Sequence, residues 1–154
     1  MDRFLMRVSI GYPSSEEELA IMERFRAADP LACLEAMAQP SEIVQLQQAR
    51  TAIRVSEPVR RYIVSLVNET RTSARLAFGA SPRASMGLFR TAQSLAAIRG
   101  RDYVLPDDVK ELFAPVVEHR LVLTPEERTR GTRASEVVSE ILNRVSVPLC
   151  DPST

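Results

Sequence analysis

The segment Gly79-Ala80-Ser81-Pro82-Arg83 gathers residue types that can bind an anion. Serine is a preferred helix N-cap and proline fits the first helical position, so Ser81 and Pro82 read as a helix start. Arg83 then falls at the second helical position, beside the positive end of the helix dipole. A cation there costs roughly 0.3–1 kcal/mol when exposed. The sign reverses when an anion sits between the free amides and the guanidinium, because both donate to it. The implied chemistry is phosphate recognition, with Ser81 and Pro82 framing the amides and Arg83 supplying a planar fork. A second reading stays open, in which Arg83 leans into solvent or onto Glu69 or an acidic loop. Arg3, in Asp2-Arg3-Phe4, is a further candidate at the start of an alternating apolar run, where a neighbouring molecule could approach. Its plain alternative is a surface arginine.

Other chemistries are excluded by counting. Lysine and arginine together number 20, and the one lysine is Lys110, in Asp107-Asp108-Val109-Lys110-Glu111. A phosphate-cradling P-loop needs a lysine that follows a glycine-rich turn, so no P-loop is present. A single histidine, His119, and the unrelated Cys33 and Cys150 offer no metal-ligand spacing, and the thiols read as unpaired. Twenty acidic residues offset the basic ones, and no helix face is basic, so a nucleic-acid partner is not expected. Phe78, Phe89 and Phe113 read as core, not as a platform for bases. No apolar run approaches the ~18 residues of a bilayer-spanning helix. Arg3 and Arg7 interrupt the N-terminal apolar stretch, which argues against a signal peptide.

The elements that must position these residues are mostly helical. Phe4, Met6, Val8 and Ile10 alternate with other residues, a period of two that predicts a strand ending at Gly11-Tyr12-Pro13-Ser14. Ser15 with Glu18 predicts a capped helix carrying Leu19, Met22 and Phe25. Ser41 is read as the cap of a second helix. Val59, Tyr62, Ile63, Leu66 and Val67 then fall at i, i+3, i+4, i+7 and i+8, a helical core stripe. The helix from Ser81 runs to Arg99 and Gly100, with Leu88, Ala92, Leu95 and Ala96 on its core face. Pro106-Asp107-Asp108 starts another, with acids where the dipole favours them, and Pro115 is expected to end or kink it. Leu121-Val122-Leu123 is an extended candidate, matched with Ile53-Arg54-Val55. Thr124-Pro125 opens one helical turn, and Val137, Val138, Ile141, Leu142 and Val145 mark the last helix. Arg99-Gly100-Arg101-Asp102 reads as a solvated basic turn. The fold class is all-α, a bundle of about five to six helices preceded by one strand. A strand without a ladder leaves its backbone unpaired, so it is read as a remnant of a sheet that lies elsewhere.

At this point the residues carry a resemblance. Asp2-Arg3-Phe4-Leu5-Met6-Arg7-Val8 with Gly11-Tyr12-Pro13 resembles the junction that leaves the ATPase core of MoxR-family AAA+ proteins. Gly79-Ala80-Ser81-Pro82-Arg83-Ala84 is similar to their sensor-2 segment. Arg99 to Val109 resembles the stretch that follows it, and His119-Arg120-Leu121-Val122-Leu123 the closing segment. Related lids occur in magnesium chelatase ATPase subunits.

The resemblance implies that residues 1–14 are the last strand and linker of an ATPase core, and 15–154 a C-terminal helical lid. It implies that Arg83, with Ser81 and Pro82, contacts the phosphates of ATP, and that Arg3 is an arginine finger reaching a neighbouring subunit. ATP and magnesium are expected only with the core, whose Walker and sensor-1 motifs this sequence lacks, so Met1 is read as a fragment boundary or a mis-set start. The implied partners are the lid's own P-loop core, neighbouring subunits of a homo-hexameric ring, and a protein with a von Willebrand factor A domain. The implied setting is cytoplasmic and the implied work chaperone-like remodelling of protein complexes. A free-standing helical adaptor without a nucleotide role is the alternative.

Overall fold

The computed structural model describes residues 3–27 and 29–148. Met1, Asp2 and Cys150, named above, lie outside them. The chain divides into two compact units, Met1–Arg7 with Gln48–Thr154, and Val8–Gln47.

The larger unit is built on α3, Glu57–Thr72, and α4, Pro82–Ile98. All five residues of the predicted α3 stripe are buried, and Thr70 extends the stripe. Leu88, Ala92 and Ala96 of α4 pack against them, with Leu95 at the core's margin. Small residues on α4 let the helices approach closely. Next comes α5, Pro106–Val117, which buries Val109, Leu112, Phe113, Val116 and Val117. Pro115 does not end it. A proline this near the terminus removes one ladder bond from a turn that is about to stop, so the helix runs on to Val117. The short α6, Pro125–Thr129, is capped by Thr124, and α7, Ala134–Arg144, closes the core with Val137, Val138 and Ile141.

Two strands complete this unit. β1, Leu76–Phe78, pairs antiparallel with β2, Val122–Leu123, placing Leu76 opposite Leu123 and Phe78 opposite Val122. The expected pairing of 121–123 with 53–55 is not formed. Residues 53–55 precede α3 and 76–78 follow it, about 24 Å apart along its 16 residues, and β2 pairs at the later end. Arg54 instead bridges Tyr103: the Arg54 amide donates to Asp102 O at 2.8 Å, and the Val104 amide to Arg54 O at 3.0 Å. Phe78, expected in the core, lies exposed on β1, while Phe113 is buried.

The predicted strand over Phe4–Ile10 is absent; turns and irregular backbone occupy the segment. No strand among the described residues runs beside it, so the ladder that would favour extension is missing. Its first part is tied down by other means: the Arg7 amide donates to Pro115 O at 2.8 Å, and Met6 packs against the core.

The smaller unit holds α1, Ser15–Ala27, a 3-10 turn at Pro30–Cys33, and most of α2, Pro40–Ala49. The cap of α1 is Ser14 with Glu17, not Ser15 with Glu18. The Ser14 amide donates to Glu17 Oε2 at 2.8 Å, and the Glu17 amide to Ser14 Oγ at 3.3 Å. Ser41 is likewise inside α2: Pro40 takes the first position, and Glu42 accepts from the Gln39 amide at 2.6 Å. Leu19, Met22 and Phe25 form a stripe as expected but lie exposed, as do Leu31, Leu34 and Met37.

Candidate functional site

The site is set by the end of α3. Thr70 Oγ1, buried, accepts from the Ala80 amide at 2.9 Å and donates to Val67 O at 2.6 Å. Arg71 Nε donates to Ala80 O at 2.8 Å, and its Nη1 to Asn68 Oδ1 at 3.0 Å. Both backbone groups of residue 80 are therefore held by consecutive side chains of one helical turn. Gly79 makes the approach possible: a Cβ there would stand 2.4 Å from Thr70 O and 2.7 Å from Arg71 Cα. This latch fixes where α4 begins and in which direction it leaves.

Beyond the latch, Ser81 caps α4, its Oγ accepting from the Arg83 amide at 3.3 Å. Pro82 takes the first position, where its missing N–H costs nothing. Ala84 is fully buried, which turns the start of the helix inward at that residue while Arg83 stays exposed. Among the described residues the Arg83 guanidinium has no ion pair or side-chain hydrogen bond. Glu69, the acid that could have neutralised it, accepts from Arg144 at 3.4 Å instead. No acidic residue lies in the first turn of α4. The result is an exposed cation at a capped helix start, with no acidic partner among the described residues.

Arg3, also exposed, is held at a distance by its neighbours. Arg120 Nη2 donates to Phe4 O at 2.6 Å and to Leu5 O at 3.1 Å. His119 Nε2 lies 3.2 Å from Phe4 O and donates to it in the tautomer that carries its proton there. Leu5 reaches α4 at Gly87, one turn after Arg83: a Cβ there would lie 3.7 Å from Leu5 Cδ1, 3.9 Å from Arg120 Nη2 and 3.1 Å from Val116 Cγ1. The two candidate arginines thus sit on segments joined at one turn of α4.

Two ionic clusters lay hidden in the sequence. Arg99 and Arg101, read as a solvated turn, converge on Asp108, only 1% exposed: Arg101 Nη2 donates to its Oδ1 at 2.6 Å and Arg99 Nη1 at 3.0 Å. Burial disfavours the charged form of Asp108, but hydrogen bonds from Arg101, the Leu105 amide and Arg99 outweigh it and hold the carboxyl below its usual range. The dipeptide Asp107-Asp108 was the only signal, and nothing in its spacing says which aspartate turns inward. The second cluster ties Arg75 to Glu127 at 2.9 Å and Glu140 at 3.0 Å, linking the turn before β1 to α6 and α7. Thr132 and then Arg75 lower the Glu127 carboxyl by hydrogen bonding. Among the described residues, no three His, Cys, Asp or Glu side chains are grouped to hold a metal, and no helix is long and apolar enough to cross a membrane.

A helical bundle whose exposed arginine opens one helix defines a class. The AAA lid domain family matches residues 68–141, from the last turn of α3 through most of α7. The chain is 38% identical over 156 residues to chaperone MoxR1 of Mycobacterium tuberculosis, covering 96% of this chain and 41% of that protein. It is 36% identical over 149 residues to the Bacillus subtilis protein YeaC, covering 97% and 47%. A crystal structure from Cytophaga hutchinsonii, of a protein assigned as an ATPase, superposes with a TM-score of 0.89 at 28% identity, covering 96% of this chain and 48% of that one. The chain belongs to the MoxR family of AAA+ ATPases, as a lid region. It spans about half the length of the curated relatives it matches.

Proposed function

We propose that this chain is the sensor-2 lid of a MoxR-type ATPase, working with a P-loop core in a homo-hexameric ring. In this reading residues 1–14 belong to the core and 15–154 to the lid. Arg83 contacts the phosphates of ATP bound to its own subunit, with Ser81 and Pro82 setting the helix start. Arg3 reaches the nucleotide of a neighbouring subunit. The observation that carries the reading is the exposed Arg83 guanidinium at a capped helix start, held by a latch that leaves it no acidic partner among the described residues.

The arrangement suits a phosphate. Stabilising negative charge on the transferring group is the protein's main contribution to phosphoryl transfer, and a positioned guanidinium supplies that without reorganising. The same segment offers no carboxylate for magnesium, so ligands for the metal belong to the core. ATP supplies the energy of remodelling; this chain's part is to sense the phosphates and orient the lid. The chaperone-like role follows the name of the mycobacterial relative. A cytoplasmic setting and a partner with a von Willebrand factor A domain belong to the same proposal.

The test is a paired measurement on the protein carrying its P-loop core: ATP turnover and melting temperature for wild type, Arg83→Ala and Arg83→Lys. The contact is a charge-assisted hydrogen bond of about 1.5–3 kcal/mol, so Arg83→Ala should lose roughly ten- to a hundredfold in turnover or ATP affinity. Melting should stay within a degree or two. Arg83→Lys should recover little, because a point charge lacks the planar fork. Unchanged turnover would make Arg83 a solvated surface residue, and a large drop in melting temperature would make it a structural one.

A further inference from the structure

We propose that Arg120 is a positioning residue for Arg3, and that the joint it makes with α4 couples the nucleotide site of one subunit to that of the next. The inference rests on the reading of Arg3 as the arginine that reaches a neighbouring subunit.

Arg120 is an unusual residue to bury. The residue is 9% exposed, in the 3-10 turn Glu118–Arg120 that follows α5. Arginine carries five donors and cannot shed its charge, so a buried guanidinium persists where carbonyls or anions meet it. Here Nη2 meets two consecutive backbone carbonyls, Phe4 O at 2.6 Å and Leu5 O at 3.1 Å. Those are the first two carbonyls after Arg3. A single donor nitrogen that holds both fixes how the two carbonyls are turned relative to each other, and so the direction in which the chain before them points. His119 lies against the first of the same carbonyls, and the Arg7 amide closes the far end of the segment on Pro115 O. Arg3 is exposed, but it projects from a backbone gripped on its following side.

The grip is built against α4. The space at Gly87 is shared by Leu5 Cδ1, Val116 Cγ1 and Arg120 Nη2. Any larger residue at 87 would displace one of them, so the absent side chain is what lets segment, turn and helix meet. Gly87 lies one turn after Arg83 on the same rigid helix. A shift of α4 that accompanies phosphate contact at Arg83 is therefore transmitted through Gly87 to Leu5 and Arg120, and from them to Arg3. The reverse also holds, since coupling between two sites is reciprocal.

Mixed rings test this directly. In the protein carrying its P-loop core, one subunit type carries Arg3→Ala with an intact P-loop; the other keeps Arg3 but has its P-loop lysine replaced. Each is inactive alone, and turnover returns only where the second type lends Arg3 to the first. Arg120→Met is then placed in one type at a time. In the subunit that donates Arg3 it should abolish the rescue by about a hundredfold, the cost of misplacing a catalytic group by roughly 1 Å. In the subunit that holds the nucleotide it should leave most of the rescue in place. Arg120→Lys, which keeps the charge on a shorter stem without the planar guanidinium, should lose less in the donor and guards against a variant that fails to fold. Rescue that survives Arg120→Met in the donor overturns the proposal, as does equal loss in both placements, the mark of a merely structural residue. If the unmodified pair shows no rescue, Arg3 is not the residue acting across subunits, and the underlying reading falls together with this one.

Discussion

Gly79 is decided by a single distance. A methyl group at that position would press on the Thr70 carbonyl, a backbone atom of a helix end that cannot give way. Gly79→Ala should therefore destabilise the chain by at least about 1–3 kcal/mol, the cost of overpacking, read as a lower urea midpoint with the slope unchanged. Thr70→Val tests the same latch from the other side. It keeps the shape but strands the buried Ala80 amide, which costs about 1–3 kcal/mol. Arg83→Ala in the same background should move the midpoint by no more than about 0.5 kcal/mol, as for a surface site. That contrast separates residues that build the site from the one offered to the ligand. Arg71 belongs with the builders: both its described hydrogen bonds go to protein atoms.

At the scale of elements, α4 is the part on which the others converge. Its start is set by the latch and the Ser81 cap, its middle by Leu88 and Ala92 against α3, and its second turn by the space at Gly87. Ser81→Ala should cost about 1 kcal/mol through the lost cap, measured by thermal unfolding, and the effect should be confined to stability in the absence of nucleotide. Leu88→Ala should cost more, about 2–5 kcal/mol, because it opens a cavity where the helices meet. The unit Val8–Gln47 behaves differently. Its apolar side chains Leu19, Met22 and Phe25 are exposed, so Met22→Ser should leave the midpoint within about 0.5 kcal/mol. A drop of several kcal/mol there would show that the stripe is packed within this chain.

For the whole molecule, acid is the informative variable. Asp108 is held ionised by Arg101 and Arg99, so its carboxyl titrates lower folded than unfolded. Its contribution to stability is thus complete above the unfolded value of about 3.9 and is lost as pH falls through the lower folded value. Asp108→Asn removes the titration. At neutral pH the variant should be less stable than wild type by at least about 1.5–3 kcal/mol, the worth of hydrogen bonds to a charged group. The gap should narrow steadily below about pH 4. Urea midpoints of both proteins from pH 7 to pH 3 measure it, and a gap that stays constant would mean Asp108 does not titrate as its surroundings require. The cluster matters to the site because Arg99 ends α4 and Asp108 begins α5, so one carboxylate sets the angle between the helices that enclose the Arg120 joint.

Much of this was legible in the residues themselves. The α3 stripe, the Ser81-Pro82 start and the helical turn opened by Thr124-Pro125 are local rules written into near neighbours, and the structure follows them. The order of motifs also marked the family, since Gly79 to Arg83 and Arg99 to Val109 are contiguous strings. Cap positions slipped by a residue or two where two serines, or a proline and a serine, competed for one role. What no string could state is which distant groups meet. Alternation over Phe4–Ile10 reads as a strand, yet a strand exists only when a second one accepts its hydrogen bonds. β2 pairs with residues 76–78 because α3 carries residues 53–55 to its opposite end. Arg99 and Arg101 converge on the buried carboxylate of Asp108, and Arg120 reaches the carbonyls of Phe4 and Leu5, more than a hundred residues earlier in the chain. Local propensity is a property of a few adjacent side chains, whereas the burial of a charge depends on whether its partner arrives from elsewhere, and only the packed chain decides that.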